Sequence, residues 1–364
     1  MNPKKSMSAF FYRCMTLCLL TCLLSVCFLS PTILASAGKP HVPSAKIPVI
    51  LDTDMGIDDW LALLYLLNRR DVEILAITVP ITGQSHCQAA IHNIHKLMDL
   101  SGKVANRQIP VACSQSYYTQ QFVVPFPDKW RHEANTLAGM VLPYSARKSL
   151  AISAEQLIQE QVDKQAKLGI KPIIITLGPL TTMANILEKD PSFKHKISNI
   201  ISMGGAVSVK GNIHYIDPVF YQNRVSEWNF YADPLAVKKV LESGVVFKMM
   251  PLDATDMVPL DKAFMRHFKR VKKTRAAEFI YGILNKKNNT QNYTGYCFWD
   301  SLTVAMALDS SMGEFKSLPI RVKYGAPNIS GQTVVDHQKG DYVQVALSAN
   351  AKRFHQDFLA VINR

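Results

Sequence analysis

The sequence predicts an α/β protein with a mostly parallel central sheet, flanked by helices in a Rossmann-like open arrangement. Short apolar runs alternate with segments whose apolar residues recur at helical spacing. The apolar runs are continuous, which is typical of strands buried on both faces of a parallel sheet. The composition, 48% hydrophobic and 19% charged residues in a chain of 364, excludes a disordered or collagen-like chain.

Strands and helices alternate along the chain from residue 47. The first part is predicted to contain strands at 47–53, 71–79 and 109–112, and helices at 58–67 and 85–100. Three prolines interrupt residues 122–145, which are predicted to be a long surface loop. The rest is predicted to contain strands at 172–177, 199–203 and 245–250, and helices at 154–167, from the turn Gly178-Pro179 to 187, and at 234–243.

The first 37 residues have the features of a signal peptide. Three basic residues, Lys4, Lys5 and Arg13, open a segment that continues with an apolar run at 14–29. Ala35-Ser36-Ala37 then supplies the small-x-small pattern that a signal peptidase accepts. We therefore predict that this segment is cleaved after export to the periplasm or the medium.

Two other interpretations of this segment are weaker. An uncleaved membrane anchor would need roughly 20 apolar residues, more than the run provides. Lipidation at Cys27 would need a small residue before the cysteine, where the chain has Val26. Residues 1–37 are therefore predicted to be the signal peptide, and no stable membrane association is expected after its removal. Because no glycine- or serine-rich linker follows, residues 38–364 are predicted to form a single domain.

The net charge is strongly positive, with 41 Lys and Arg residues against 28 Asp and Glu, or +13. Such a charge is typical of proteins that bind nucleic acid or anionic surfaces. Removal of residues 1–37, which include three basic and no acidic residues, leaves +10 over 327 residues. Seven of the basic residues fall within 262–275, where they indicate a solvated helix face, and no recognition motif accompanies them. We predict no nucleic-acid partner.

Four of the seven cysteines lie in the predicted signal peptide. The remaining three, Cys87, Cys113 and Cys297, are far apart and have no Cys-x-x-Cys spacing, which excludes a disulfide framework or a zinc site. In an oxidising compartment they allow one disulfide at most, and buried free thiols are an equal alternative. The sequence likewise leaves both a monomer and a homo-oligomer open.

Four carboxylates follow the first predicted strand within eight residues: Asp52, Asp54, Asp58 and Asp59. In a strand-loop-helix unit they converge at the carboxyl edge of the sheet, where α/β proteins bind ligands. Their mutual repulsion is costly unless a positive charge lies there, and oxygen ligands suit Ca²⁺ or Mg²⁺. Preferences for helix starts and turn caps would account for one or two of the four.

This segment resembles the signature of the inosine/uridine-preferring nucleoside hydrolases, Ca²⁺ enzymes that cleave the N-glycosidic bond of ribonucleosides with water. Further elements follow in the family's order up to the C-terminus. They are Gly178-Pro179-Leu180-Thr181, Met203-Gly204-Gly205, Glu227-Trp228-Asn229 with Asp233-Pro234, and Phe298-Trp299-Asp300. The resemblance implies the nucleoside hydrolase type of open sheet, an N-glycosidase activity and a small-molecule nucleoside substrate.

The resemblance also implies a metal site. Ca²⁺ would be held by Asp54, Asp59, Asp300 and the backbone carbonyl of Leu177, a position where the family often has threonine. Asp58 matches the general base that takes a proton from the Ca²⁺-bound water. Asp52 is expected to order the loop behind the ligands rather than to bind the ion.

The sugar-binding residues follow from the same resemblance. Glu227 and Asn229 match residues that bind the ribose hydroxyls, since a carboxylate accepts hydrogen bonds and an amide both donates and accepts. A further asparagine of the family contacts the 5′-hydroxyl. Asn212 follows a glycine as in the family motif, whereas Asn223 lies closer to Glu227 in the chain, and both stay candidates.

Two residues depart from the family pattern. Trp299 stands where the best-known members have a histidine that protonates the leaving base, and tryptophan cannot act as a general acid. We expect its ring to stack on the base and to raise the affinity of the base for a proton. Gln84 stands where the family usually has Asn after glycine, which keeps an amide near the sugar but lengthens its reach.

Two other functions compete with this one. Residues 49–54 also fit a phosphatase of the haloacid-dehalogenase type, in which Asp52 would be the nucleophile and Mg²⁺ the cofactor. That alternative leaves Asp58-Asp59 and the later motifs unexplained. The other alternative is a non-catalytic exported nucleoside-binding protein that lost turnover together with the histidine. The sequence does not decide between purine and pyrimidine bases.

Overall fold

The computed structural model describes residues 45–103, 108–213, 222–289 and 295–364. The predicted signal peptide, residues 1–37, lies outside the described residues, and Ala45–Arg364 form one compact unit. In chain order the strands are β1 (Ile47–Asp52), β2 (Val72–Val79), β3 (Val111–Cys113), β4 (Ile173–Thr176), β5 (Asn199–Met203), β6 (Phe247–Met250), β7 (Gly313–Val322), β8 (Thr333–Val335) and β9 (Asp341–Ala349).

Twelve α-helices connect or cover these strands in the part of the chain that the structure describes. They are α1 (Ile57–Asn68), α2 (Cys87–Ser101), α3 (Asp128–Asn135), α4 (Ala154–Ala166), α5 (Thr181–Lys189), α6 (Trp228–Ala232), α7 (Pro234–Glu242), α8 (Leu252–Thr255), α9 (Lys262–Val271), α10 (Arg275–Asn289), α11 (Trp299–Leu308) and α12 (Ala351–Ile362). Short 3₁₀ turns lie at Leu137–Gly139, Pro191–His195 and Ser310–Met312.

All nine strands belong to one sheet, in the order β3-β2-β1-β4-β5-β6-β9-β7-β8. The pairs from β3 to β9 are parallel, and β7 pairs antiparallel with both β9 and β8. Residues of β1 alternate between two hydrophobic clusters, Val49 and Leu51 in one and Ile50 in the other. Helices therefore cover both faces, and the prediction of an α/β fold with a mostly parallel sheet is confirmed.

The strand β1 lies between β2 and β4, and its carboxyl end is buried inside the protein. In the parallel register Asp52 pairs with Thr78 of β2 on one side and with Thr176 of β4 on the other. Three strands thus end at the same level, and the loops that follow them converge at one edge of the sheet. The acidic loop after β1 lies between the other two.

The prediction of an irregular loop at 122–145 is wrong in part, because this segment contains α3. Pro127 is the residue before the first helical turn, with φ −58°. A proline at a helix start loses no intrahelical hydrogen bond, and its φ already suits the helix, so it begins the helix rather than breaking it.

The basic segment after residue 260 forms α9, whose charged side chains lie on its outer face. Lys262, Arg266, Lys269 and Arg270 are exposed, whereas Phe264, Met265 and Phe268 are buried against the core. The basic residues are therefore the solvated side of an amphipathic helix. Among the described residues, no helix combines the length and the apolar character needed to cross a bilayer.

Cys87 and Cys113 form a disulfide, with their Cα atoms 5.9 Å apart, and Cys297 is a buried free thiol. Cys87 is the first residue of α2 and Cys113 the last residue of β3. The bond therefore ties the start of α2 to the carboxyl edge of the sheet. Of the two alternatives that the sequence left open, the structure has one disulfide.

Removal of this disulfide is expected to lower the free energy of unfolding by about 3 kcal/mol, because a cross-link across 26 residues restricts the unfolded chain. Urea unfolding of the Cys87→Ala, Cys113→Ala double variant measures the loss. Cys297→Ser is the control for a thiol change, and dithiothreitol should destabilise the wild type but not the double variant. Equal sensitivity of both proteins to the reductant would contradict the prediction.

Candidate active site

The start of α1 brings two carboxylates together with one from a distant helix. Asp58 and Asp59 lie in the first turn of α1, and Asp300 lies in the first turn of α11. A carboxylate oxygen of each residue lies within 4.8 Å of one from both others. The sequence separates Asp300 from the start of α1 by more than 240 residues, and the packing of α11 against α1 joins them.

The electrostatics of this group favour a bound cation. Burial and the negative charges of neighbouring aspartates raise the pKa of Asp59 and of Asp300 well above their usual range. Oδ1 of Asp300 is buried and has no hydrogen-bond partner among the described residues. A buried oxygen-only donor set with an unsatisfied oxygen fits a hard divalent cation such as Ca²⁺ or Mg²⁺.

The loop itself is strained at one position. Met55 has φ 59°, in the left-handed region that side chains other than glycine rarely adopt. Its carbonyl accepts a hydrogen bond of 2.9 Å from Nε1 of Trp60, and Thr53 Oγ1 donates to Oδ1 of Asp59. These contacts hold the turn that separates Asp54 from Asp58.

Asp54 lies beside the three-carboxylate group, with its side chain within hydrogen-bonding reach of Asp59. Its Oδ1 accepts from the backbone N–H of Gly56, and Oδ2 accepts from that of Gln84, both at 3.3 Å. Burial raises the pKa of Asp54. Two glycines pack against its side chain, since a Cβ on Gly178 would lie 2.5 Å from Asp54 Cβ and one on Gly83 2.9 Å.

Substitution Gly178→Ala is expected to displace Asp54, because a 2.5 Å contact between two Cβ atoms cannot be accommodated without backbone movement. We expect a loss of about 1–3 kcal/mol of stability from overpacking and a drop of about tenfold in the affinity of the carboxylate group for a divalent cation, with Ca²⁺ as the probe. Urea unfolding and calorimetric calcium titration measure the two effects. Gly169→Ala is the control for a destabilising glycine substitution. Alanine would be strained there by the left-handed φ of the backbone, but its Cβ would have no neighbouring atom within 4 Å. Unchanged calcium affinity in Gly178→Ala would refute the packing argument.

Asp52 is the last residue of β1, and its side chain contacts the neighbouring strand β2 and the start of α5. Its Oδ1 accepts from Thr78 Oγ1 at 2.6 Å and from Thr182 Oγ1 at 3.5 Å. Burial raises the pKa of Asp52 to about 7. The three-carboxylate group does not include it, and these hydrogen bonds are those of a residue that supports the loop.

Glu227 caps the start of α6, and Asn229 lies in its first turn. Oε1 of Glu227 accepts from the backbone N–H of Asn229 at 2.8 Å, and Oε2 accepts from Gly205 N–H at 3.0 Å. Burial raises the pKa of Glu227 to about 7. The Asn229 amide donates to the Leu177 carbonyl at 2.8 Å, so the carbonyl predicted to bind the metal already accepts one hydrogen bond. A second lone pair of that oxygen is available to a ligand.

A buried hydrogen-bond chain ties the three loops of the site together. Thr82 Oγ1 donates to Thr181 Oγ1, and Thr181 Oγ1 donates to Asp233 Oδ2, each at 2.6 Å. Thr82 belongs to the loop after β2, Thr181 begins α5, and Asp233 caps α7 through the N–H of Ala236. Burial raises the pKa of Asp233 to about 6. The hydrogen-bond chain fixes how the loop after β2, the start of α5 and the junction between α6 and α7 lie relative to each other.

The two candidate asparagines differ in how their side chains are used. The Asn223 amide donates to the carbonyls of Pro327 and Ser330, and its oxygen accepts from two backbone N–H groups at 225 and 226. All its hydrogen-bonding groups are therefore occupied in holding loops. Asn212 accepts from the N–H of Trp228 at 3.1 Å and is half-buried, which places it beside the Glu227–Asn229 loop.

Gln84 connects the site to α3 and an aromatic cluster. Its Nε2 donates to the Trp130 carbonyl at 3.4 Å, and its Oε1 would lie 2.9 Å from a Cβ on Gly56. Trp228 packs against both Trp130 and Phe126, with ring centroids 5.3 and 5.4 Å apart. The α3 segment is thereby held next to the loops that carry the carboxylates and Glu227.

Trp299 is the first residue of α11 and directly precedes Asp300. Its Nε1–H donates to Asp256 Oδ1 at 2.8 Å, and its ring meets that of Tyr296 edge-on with centroids 5.1 Å apart. Its side chain is half-buried. The ring therefore has a fixed orientation, and its residue is the chain neighbour of Asp300 in the three-carboxylate group.

Residues 49–356 match the sequence model of the inosine-uridine preferring nucleoside hydrolases. The protein belongs to this family. Among relatives, RihC of Escherichia coli, a non-specific ribonucleoside hydrolase, is 25% identical over 316 residues, or 85% of this chain and 96% of the relative. Uridine nucleosidase 1 of Arabidopsis thaliana is 31% identical over 212 residues, and the match spans 58% of that protein.

A solved structure of the family has the same fold. The inosine-uridine preferring nucleoside hydrolase of Bacillus anthracis superposes with a TM-score of 0.72 and 25% identity, covering 87% of this chain and 99% of that one. Membership of the nucleoside hydrolase family does not favour the haloacid-dehalogenase alternative. It accounts for the motifs that the phosphatase interpretation leaves unexplained.

Several residues of this nucleoside hydrolase site were missing from the sequence prediction. Thr82 lies in the loop after β2, Trp130 lies in α3 and Asp256 directly follows α8, and their roles arise from contacts between segments far apart in the chain. Thr181 and Asp233 lay within quoted family motifs, but nothing in the sequence indicated that they contact each other.

Proposed function

We propose that this protein hydrolyses the N-glycosidic bond of ribonucleosides and releases ribose and the free base. The observation that carries the proposal is the convergence of the Asp58, Asp59 and Asp300 carboxylates at the edge of the sheet where the start of α6, with Glu227 and Asn229, also lies. Family membership supports the same reaction class. The distribution of hydroxyl and carbonyl groups on a nucleoside suits a site of carboxylates and amides.

The ion proposed for this site is Ca²⁺. Asp59 and Asp300, with Asp54 and the Leu177 carbonyl, would hold it, because a site of several carboxylates with irregular spacing suits the flexible coordination of Ca²⁺ better than the strict octahedron of Mg²⁺. When bound, Ca²⁺ supplies positive charge that acidifies water and attracts sugar hydroxyl oxygens.

The side chains then have distinct tasks. Asp58 is half-buried, in contrast to Asp59 and Asp300, so its carboxylate can reach a water molecule and take its proton. Glu227 and Asn229 bind the ribose hydroxyls and hold the sugar in one orientation. Gln84 adds an amide on the side of α3, and Asn212 is the better-placed candidate for the 5′-hydroxyl.

The leaving base is assisted without an acidic side chain at position 299. Trp299 presents an electron-rich ring that can stack on the base, and a stacked base that takes up a proton gains an additional cation–π attraction. The proton then comes from solvent. A base that departs in its neutral, protonated form is a better leaving group than its anion.

We further propose that the mature protein works outside the cytoplasm. Residues 1–37 have the pattern of a signal peptide, and the Cys87–Cys113 disulfide is typical of an oxidising compartment. Expression of the full chain in a bacterium with a secretion pathway, followed by N-terminal sequencing, tests this. We expect the mature chain to begin at Gly38 and to be recovered outside the cytoplasm.

A panel of purine and pyrimidine ribonucleosides, assayed for free ribose with calcium and with a chelator, tests the enzymatic proposal. We expect ribose release that needs calcium, with a base preference that the panel measures. Tight nucleoside binding without ribose release would identify a binding protein instead. Release of phosphate from phosphate esters with Mg²⁺, and no ribose, would identify a phosphatase.

A further inference from the structure

An acidic residue outside the three-carboxylate group, Asp256, holds the indole of Trp299 in place. Asp256 accepts the indole N–H at 2.8 Å, and Tyr296 contacts the ring edge-on at an interplanar angle of 70°. An indole has one donor and no acceptor, so a single hydrogen bond together with one ring contact sets its orientation. The rest of the ring is partly accessible.

The backbone holds the two partners together. The N–H of Leu260 donates to the Tyr296 carbonyl at 2.8 Å, and the N–H of Phe298 donates to the Val258 carbonyl at 3.0 Å. The segment after α8 and the segment before α11 are therefore paired in antiparallel fashion. Asp256 precedes the first segment and Trp299 follows the second, so the hydrogen bond between them belongs to a preformed unit.

We propose that Asp256 is a positioning residue that makes the site selective for ribonucleosides whose base can take up a proton, and that it acts through Trp299. The proposal rests on the proposed hydrolase function. It assigns a substrate class, nucleosides of basic purines such as adenosine, in preference to those of uracil, whose ring nitrogens are amide-like and do not take up a proton near neutral pH.

The physical reason lies in the charge of the acceptor. A carboxylate at the indole N–H pushes electron density into the ring, because the N–H bond is polarised toward the anion. The negative face of the ring then attracts a cationic base more strongly, and tryptophan is already the best aromatic partner for a cation. A neutral base that cannot be protonated gains little from the same charge.

A set of four variants tests the proposal: Asp256→Ala, Asp256→Asn, Trp299→Phe and the Asp256→Ala, Trp299→Phe double variant. The kcat and KM for adenosine and for uridine are measured by ribose release with calcium present. We expect Asp256→Ala to lower kcat/KM for adenosine about tenfold and for uridine by less than about threefold. Asp256→Asn, whose amide oxygen still accepts the N–H, should retain the ring orientation and lose an intermediate amount.

The double variant separates a positioning role from a merely structural one. Trp299→Phe keeps an aromatic ring but removes the indole N–H, so in that background Asp256→Ala should change the adenosine-to-uridine ratio by less than about twofold. Asp261→Asn is the control for loss of a nearby charge, since Asp261 caps α9 through the N–H of Phe264 and should leave the ratio unchanged.

Two outcomes would overturn the proposal. Equal losses for adenosine and uridine in Asp256→Ala would show that the residue only stabilises the fold, as would an undiminished effect in the Trp299→Phe background. If the wild type released no ribose, the hydrolase proposal would fall separately. Calorimetric titration with adenosine and uridine would then test Asp256 alone, and unchanged relative affinities in Asp256→Ala would refute its role.

Discussion

Asp58→Asn lowers kcat for ribose release by about 10²–10⁴-fold and leaves calcium affinity within about threefold of the wild type, if Asp58 acts as the general base. Asparagine has nearly the same size as aspartate and keeps a carbonyl oxygen, but it cannot take a proton from water. Because Asp58 is half-buried at the start of α1, we expect little change in stability.

Steady-state kinetics on a nucleoside that the wild type cleaves, together with calorimetric calcium titration, measures both quantities. Asp190→Asn is the matched control, since this aspartate is half-buried like Asp58, begins a short 3₁₀ turn away from the site, and asparagine is an equally good cap. The result that counts against the assignment is a collapse of calcium affinity, because Asp58 lies within the three-carboxylate group and would then be a metal ligand.

The parts of the fold predicted from sequence are those with a strong local signal. β1 and the first residues of α1 were predicted within one residue of their observed bounds, because a strand buried on both faces is apolar throughout. The strands at the far end of the sheet gave no such signal. β7 is exposed at several positions and contains Pro319, which disfavours assignment to a strand, so no strand was predicted after residue 250.

The candidate site divides in the same way. Asp54, Asp58 and Asp59 lie within six residues of one another in the sequence, and the repulsion among their carboxylates indicates a cation near them. Asp300 was placed with them by resemblance to the family, since only the packing of α11 on α1 brings it there. The hydrogen bond from Asn229 to the Leu177 carbonyl joins two loops, and no local pattern in either loop predicts it.

Asp300→Asn is expected to remove calcium binding and therefore to abolish the effect of calcium on stability. In the wild type, the proposed Ca²⁺ would neutralise buried carboxylates that otherwise repel one another, so we expect a chelator to lower the melting temperature. In the variant, we expect calcium affinity to fall by at least about 100-fold. This is more than the usual loss when a residue that only hydrogen-bonds to a metal ligand is removed, because Asp300 would itself be a ligand. The variant should then melt at the same temperature with calcium and with chelator, and ribose release should be lost.

In the presence of chelator, we expect the Asp300→Asn variant to be more stable than the wild type, and the reason lies in the pKa of Asp300. Burial and the charges of Asp58 and Asp59 raise the pKa of Asp300 well above its usual range. The folded protein then holds a proton that the unfolded chain has already released, so the stability of the wild type in chelator falls as pH rises toward the folded pKa.

Asp300→Asn removes this contribution, so in chelator the variant should be more stable than the wild type above neutral pH, and its stability should depend less on pH. Urea midpoints in chelator at several pH values measure both trends, and Asp190→Asn again provides the control. If calcium stabilised Asp300→Asn as much as the wild type, the cation would not be held by the group that α1 and α11 bring together. Asp300 would then be a buried acid whose cost to stability has another purpose.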